Sequence, residues 1–370
     1  MVDRNSSVPL HLQIRNILRS EILEERYRDA NLPGELRLVE RFGVSRGTVR
    51  QALRSLEQLG FIRRARGKGT LIISNEQAEL PSSTNPIIVS LIVPHCRDSF
   101  VPTLLLGVEV AMRERSARLF FNHTEKSIDL QNNALNAARD YGVSGIILLP
   151  VDVSYQDPVL KQLNLEKFPI VLVDRYIYGL DIDYVTTDGY GGMLRAVQHL
   201  LALGHRRIGF VCFSLEHTGQ MCRFLGYQQA LLEWDIPSDP SLVCELAELP
   251  DENLEALHQY LTSPNRPTAI VALNDYLAVK IINLCRQSGI RIPDELALVG
   301  FDDIDIAAQL ETPLTTVTQP IYEMGYQAAQ LLLNRISGRS SGIQRIILPT
   351  HLTIRKSCGA RMAPSMPVST

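Results

Sequence analysis

From residue 87 onward one pattern repeats: a short run of apolar, largely β-branched residues, then a stretch with helical spacing. The runs at 87–93, 119–121, 146–149 and 170–173 begin roughly 25–32 residues apart, the span of one βα unit. Runs that are apolar throughout predict parallel strands covered by helices on both faces. The pattern resumes at 208–211, 269–272 and 298–301, with helix candidates at 191–203, 223–234, 277–288 and 322–336. Two groups of such units predict an α/β protein with two doubly wound lobes rather than one oversized sheet.

The residues just past these strands are polar. Asp98 and Phe100 follow the first run, Asp174 and Arg175 the fourth, and Asn274-Asp275 and Asp302-Asp303 two later ones. Ligands of open α/β sheets bind outside the carboxyl ends of the strands, so these groups are predicted to converge on one crevice. Carboxylates accept pairs of sugar hydroxyls, Arg donates a fork, and Phe covers an apolar ring face. Any one of these aspartates could equally cap a helix or shape a turn. Four strand ends with the same chemistry favour a shared site.

The first 74 residues differ in kind. They carry 14 Lys and Arg against 8 Asp and Glu, a net +6, while the rest of the chain carries 23 against 32, a net −9. A basic head on an acidic body assigns contact with a polyanion to the head. Pro9 fits the first turn of a helix on which Leu10, Ile14, Ile17, Leu18 and Ile22 follow helical spacing. Residues 31–34 make a turn, and 35–42 a short helix with Leu36, Val39 and Phe42 expected inward. Ser45 is a good N-cap for a helix beginning at Arg46. Val49, Ala52, Leu53, Leu56 and Leu59 form one stripe of that helix, while Arg46, Arg50 and Arg54 share another face beside Gly47 and Gln51. In a major groove Arg pairs bidentately with guanine and Gln reads adenine. Alone, such a face is more often a solvated basic surface. The following residues change that reading. Residues 61–73 form two short strand candidates around Arg66-Gly67-Lys68-Gly69, a basic tip suited to a phosphate backbone or minor groove. Helix, short helix, turn, helix and wing make a winged helix-turn-helix over 1–74. Residues 75–86, with Pro81 and Pro86 and few large apolar side chains, read as a linker.

Two family likenesses rest on these residues. Leu32-Pro33-Gly34-Glu35, Arg41-Phe42-Gly43-Val44-Ser45-Arg46, Thr48-Val49-Arg50 and Arg66-Gly67-Lys68-Gly69-Thr70 resemble the GntR-family DNA-binding domain along the whole head. The likeness implies DNA contacts at Arg46, Thr48 and Arg50, with Ser45 and Gln51 beside them, and at the wing residues Arg66, Gly67, Lys68 and Gly69. One stretch departs from it. Leu36 stands where the family often has a DNA-contacting Arg, and Gly34 replaces the usual capping Ser. Arg37, the nearest basic residue, is therefore a candidate contact.

In the body, Val171-Leu172-Val173-Asp174-Arg175, Arg223-Phe224-Leu225-Gly226-Tyr227, Leu273-Asn274-Asp275, Val299-Gly300-Phe301-Asp302-Asp303 and residues 312–320 are similar to the LacI/GalR effector-binding domain. The similarity covers nearly all of 87–358. It implies the two-lobed fold of periplasmic sugar-binding proteins, with three crossovers and a ligand in the cleft. Lobe 1 would be 87–187 with 318–343, lobe 2 188–317 with 344–358, and 359–370 a flexible tail. Carried over by residue, the ligand contacts fall at Asp98, Phe100, Asp174, Arg175, Arg223, Asn274 and Asp302. Thr187 sits where the family often has a stacking aromatic. The usual LacI-type head and hinge helix are absent. A GntR-type head on this body resembles the arabinose-responsive repressors of Gram-positive bacteria, which implies a monosaccharide effector such as L-arabinose.

No Walker A or HExxH motif occurs, and nothing marks a nucleophile elbow or a catalytic triad, so enzyme classes are disfavoured. Asp302-Asp303-Ile304-Asp305 lacks the glycine and final Glu of a calcium loop, and no cofactor or metal is expected. Six cysteines without a CxxC pair read as reduced thiols. No apolar run reaches membrane-spanning length and the N-terminus lacks a signal-peptide pattern, which argues against a membrane or transport protein and makes the cytoplasm the expected compartment. The sequence therefore predicts a homodimeric transcriptional regulator on double-stranded operator DNA, repressing carbohydrate-utilisation genes until a small sugar binds. Activation, or a nucleoside or purine effector, are the alternatives the residues leave open.

Overall fold

A computed structural model describes residues 9–23, 27, 31–58, 61–65, 69–72, 87–96, 98–151, 157–213, 215, 217–246, 254–340 and 342–360. The chain forms two compact units that divide between Asn85 and Pro86.

The head runs α1 (Leu10–Leu23), β1 (Asn31–Leu32), α2 (Glu35–Phe42), α3 (Arg46–Gln58), β2 (Ile62–Ala65) and β3 (Gly69–Ile72). β2 and β3 pair antiparallel from Ile62↔Ile72 to Ala65↔Gly69, and β1 adds to the other edge of β3. The apolar stripe of α3 is buried at Val49, Ala52, Leu53 and Leu56, against Ile14 and Leu18 of α1 and Ile62 of the hairpin. Gly43 ends α2 at φ 62°, a left-handed conformation that favours glycine, and its N–H donates to the Val39 carbonyl at 2.9 Å. Arg41 donates to Glu21 at 2.9 Å, and the Tyr27 hydroxyl donates to the same carboxylate at 2.5 Å, tying α1 to α2. Leu36 corrects an expectation. α2 turns Leu38 and Phe42 inward, an i,i+4 pair on one face, and leaves Leu36 65 % exposed.

The body begins with β4 (Ile88–Val93), α4 (Phe100–Glu114), β5 (Arg118–His123), α5 (Ile128–Asp140), β6 (Gly145–Leu148), α6 (Pro158–Leu165), β7 (Ile170–Val173) and β8 (Asp183–Thr187). It continues through α7 (Gly189–Ala202), β9 (Ile208–Cys212), α8 (Thr218–Glu233), β10 (Val243–Glu245), α9 (Glu255–Thr262), β11 (Ala269–Ala272), α10 (Asp275–Gln287), β12 (Ala297–Asp302), α11 (Ile306–Gln309) and β13 (Thr315–Thr318). α12 (Ile321–Ile336), β14 (Arg345–Leu348) and β15 (His351–Thr353) complete it.

The strands make two six-stranded sheets, β14-β8-β7-β6-β4-β5 and β10-β9-β11-β12-β13-β15. The first is parallel throughout, and in the second only β15 runs antiparallel. The central strands β6, β7, β9 and β11 are buried along their whole length, as continuous apolar runs require. β5 differs, because it is an edge strand whose Phe120 and Phe121 are exposed.

β14 also lies elsewhere than the family likeness implies. It pairs with β8 from Arg345↔Tyr184 to Leu348↔Thr187, so the first lobe keeps the chain through residue 348 rather than 343. The three crossovers therefore lie at 187–189, 318–321 and 348–351. α12 returns to the first lobe and packs on α4 at close range. A Cβ on Gly107 would stand 2.1 Å from the Tyr322 carbonyl oxygen, and one on Gly325 2.2 Å from that of Leu104.

Candidate functional site

In the head, the site is built on the first turn of α3. The Ser45 hydroxyl accepts the Thr48 N–H at 3.2 Å and lies 2.8 Å from the Thr48 hydroxyl, which caps the helix and fixes both side chains. Arg46, Arg50, Gln51 and Arg54 are exposed on the face opposite the buried stripe. The two leading arginines are not loose. Arg46 Nε and Arg50 Nε donate to the same oxygen of Glu35, at 3.2 and 3.0 Å. Spending the Nε donors on Glu35 leaves the terminal guanidinium nitrogens for a ligand. A groove runs along this surface, lined by Pro33, Glu35, Leu36, Arg37, Arg46 and Arg50 among others. Arg37 thus stands beside the α3 arginines. Gly69 opens β3, while Arg66, Gly67 and Lys68 lie outside the described residues. Glu35 was not singled out as a functional residue in the sequence, since its role depends on two partners from another helix.

In the body, the candidate residues come from the carboxyl ends of both sheets. Asp98 accepts the Phe100 N–H at 3.0 Å, shaping the turn into α4, and Phe100 is buried. Asp174 follows β7 with φ +63°, Asp302 ends β12 with φ +116°, and Asp303 follows it with φ +59°. Such backbone conformations are costly for residues with a side chain and cluster at functional sites. Arg223, 8 % exposed on α8, reaches across to this group. Its Nη1 donates to the Leu273 carbonyl at 2.7 Å, its Nη2 lies 3.6 Å from Asp302, and its guanidinium carbon stands 3.9 Å over the Phe301 ring. Its Nε is buried without a hydrogen-bond partner.

Asp302 is the electrostatic centre. Burial pushes its carboxyl well above the usual carboxylate range, Arg223 opposes that, and the nearby carboxylates of Asp275, Asp174 and Asp98 push it further up. Asp302 therefore feels Arg223, Asp174 and Asp98. The Gln319 amide donates to Asp302 at 2.6 Å, and its carbonyl accepts the Thr187 hydroxyl. Thr187 ends β8 and Gln319 follows β13, so two crossovers are wired to the buried carboxylate.

Other candidates are committed to local structure. The Asn274 carbonyl oxygen caps α10 by accepting the Leu277 N–H at 2.9 Å. Arg175 donates to the Pro150 carbonyl at 3.2 Å and lies 3.6 Å from Asp174. Asp275, fully buried, accepts the Thr316 hydroxyl at 2.6 Å and the Ile304 N–H at 3.0 Å, and burial pushes its carboxyl up to about 7. Gly300 leaves it room, because a Cβ there would lie 2.0 Å from Asp275 Oδ1.

The two lobes touch across the cleft mouth. The Asp305 N–H donates to the Ser99 hydroxyl at 3.2 Å, and the Thr218 hydroxyl donates to the Tyr176 carbonyl at 3.0 Å. A cavity of about 140 Å³ lies beside the crossovers, and its walls include Asp174, Thr187, Tyr190, Cys222 and Arg223. Nothing in the sequence marks Gln319 as a site residue, although it lies within the 312–320 stretch that carries the LacI/GalR likeness.

Residues 10–72 match the family described as bacterial regulatory proteins, gntR family, and residues 197–358 match the periplasmic binding protein-like domain. The chain is 30 % identical to the arabinose metabolism transcriptional repressor of Geobacillus stearothermophilus, over 96 % of this chain and 99 % of that protein. Among solved structures it resembles the transcriptional regulator CelR in complex with cellobiose, with TM-score 0.68 and 28 % identity over 85 % of this chain and 91 % of that one. It also resembles a LacI family transcriptional regulator of Enterococcus faecium with bound ribose, with TM-score 0.63 and 26 % identity over 73 % and 98 % of the two chains.

Proposed function

The chain belongs to the family of transcriptional regulators that carry a GntR-type head on a periplasmic-binding-protein-like body, and we propose that a monosaccharide such as L-arabinose is the effector that releases it from DNA. It is a regulator of sugar metabolism and not an enzyme. The observation that carries the effector reading is Arg223, buried beside Asp302 with one donor unspent. A buried carboxyl beside a buried arginine, with Asp174 lining the same cavity as Arg223, forms a site for neutral ligands dense in hydroxyl groups, which can both donate to a carboxyl and accept from a guanidinium. The bound sugars of the structural relatives and the arabinose name of the sequence relative support the same class.

A sugar that engages Asp302 and Arg223 competes with the Gln319 amide. It thereby loads the Thr187–Gln319 bridge between two crossovers, and the lobe arrangement that binds sugar better is favoured by the difference in affinity. The head reads DNA with Arg46, Thr48 and Arg50, positioned by Ser45 and Glu35, with Arg37 and the wing residues 66–69 on the backbone. A homodimer placing two heads on a pseudo-palindromic operator, working in the cytoplasm, completes the reading. Among the described residues no helix is long and apolar enough to cross a membrane.

A thermal-shift screen of monosaccharides tests the effector, because a ligand bound only by the folded state raises the melting temperature. L-arabinose is expected to raise it in the wild type and not in Asp302→Asn. A shift of equal size in both proteins would remove Asp302 from the site.

A further inference from the structure

We propose that Leu36 is a specificity-determining residue that reads the 5-methyl group of a thymine in the major groove of the operator. The proposal rests on the regulator reading and extends it to one base. Among the described head residues, Leu36 is the single large apolar side chain that is exposed. It lies on the first turn of α2, on the same groove as Arg37, Arg46 and Arg50. Its neighbour Glu35 binds both α3 arginines, so Leu36 is held at a fixed place beside the two groups that face the bases. The approach is open, since even a Cβ at Gly34 would meet nothing within 4 Å.

The occupant follows from chemistry. Three arginines on a groove call for a polyanion, and an apolar side chain among them calls for an apolar group on that polyanion. In the major groove the thymine methyl is the one such group a base pair presents. Leu36 therefore adds a thymine preference next to the guanines that Arg46 and Arg50 are suited to read.

The test enriches random duplex DNA on the full-length wild-type protein. The enriched site is then remade with deoxyuridine at each thymine in turn, which removes only the methyl group. One position is expected to lower wild-type affinity about fourfold, the worth of one buried methyl. Leu36→Ala is expected to bind the thymine site as weakly as the uracil site, with its melting temperature unchanged because the side chain is exposed. Leu36→Arg is expected to enrich guanine at that position. The assignment is overturned if no uracil position matters to the wild type, or if Leu36→Ala still prefers thymine over uracil as strongly as the wild type. A wild-type protein that enriches no sequence overturns the regulator reading as well, whereas enrichment indifferent to methyl groups overturns the Leu36 assignment alone.

Discussion

Glu35 holds two arginines through a single carboxylate oxygen, and this sets what each can do. Their terminal nitrogens are left to pair with guanine edges, a contact worth about 1–3 kcal/mol. Arg50→Ala is expected to weaken operator binding roughly 10–100-fold in fluorescence anisotropy and to leave sugar binding unchanged by calorimetry. Asp302→Asn is expected to do the reverse, keeping operator affinity and weakening sugar at least about tenfold, the scale of one buried hydrogen-bonding group left unpaired. Loss of both activities in either variant would point to misfolding rather than to separate sites. Asp275 makes a pH prediction. Its carboxyl is raised from 3.8 to about 7, so the folded state binds that proton more tightly than the unfolded chain does. Its contribution to stability is therefore greatest in acid, falls as pH rises through this interval, and is constant above about 7. The melting temperature of wild type minus that of Asp275→Asn is expected to fall over the same interval. A difference that stays level would mean Asp275 titrates normally.

At the scale of elements, α4 and α12 cross at close range through Gly107 and Gly325. Gly325→Ala forces a Cβ against the Leu104 carbonyl, and it is expected to cost about 1–3 kcal/mol, read as a lower melting temperature. An unchanged melting temperature would show that the helices separate freely. The elements differ in how far the sequence exposes them. β7 and β11 are apolar along their length and coincide with the strands expected at 170–173 and 269–272. β8 and β13 are rich in threonine and do not stand out as apolar runs. Thr315 and Thr316 are nonetheless fully buried, because their hydroxyls are spent on Cys358 and Asp275. In α2 the helix is two turns long, too short for spacing alone to choose between a Leu36 face and a Leu38 face. Gln319 is illegible for another reason, since Asp302 is brought to it by the β12–β13 pairing and Thr187 by a crossover.

At the scale of the whole molecule, a basic unit with exposed arginines is joined in one chain to an acidic unit with a buried carboxylate cleft. Operator affinity is expected to fall steeply with salt, as phosphate contacts release counterions. A cleft that governs the DNA face does so reciprocally by linkage: sugar weakens DNA binding by the factor by which DNA weakens sugar binding. The most direct measurement is the affinity of the full-length protein for its enriched operator, with and without a saturating sugar that raises its melting temperature. The expected weakening is about 5–150-fold, absent in Asp302→Asn. An operator affinity unchanged by a sugar that demonstrably binds would contradict it.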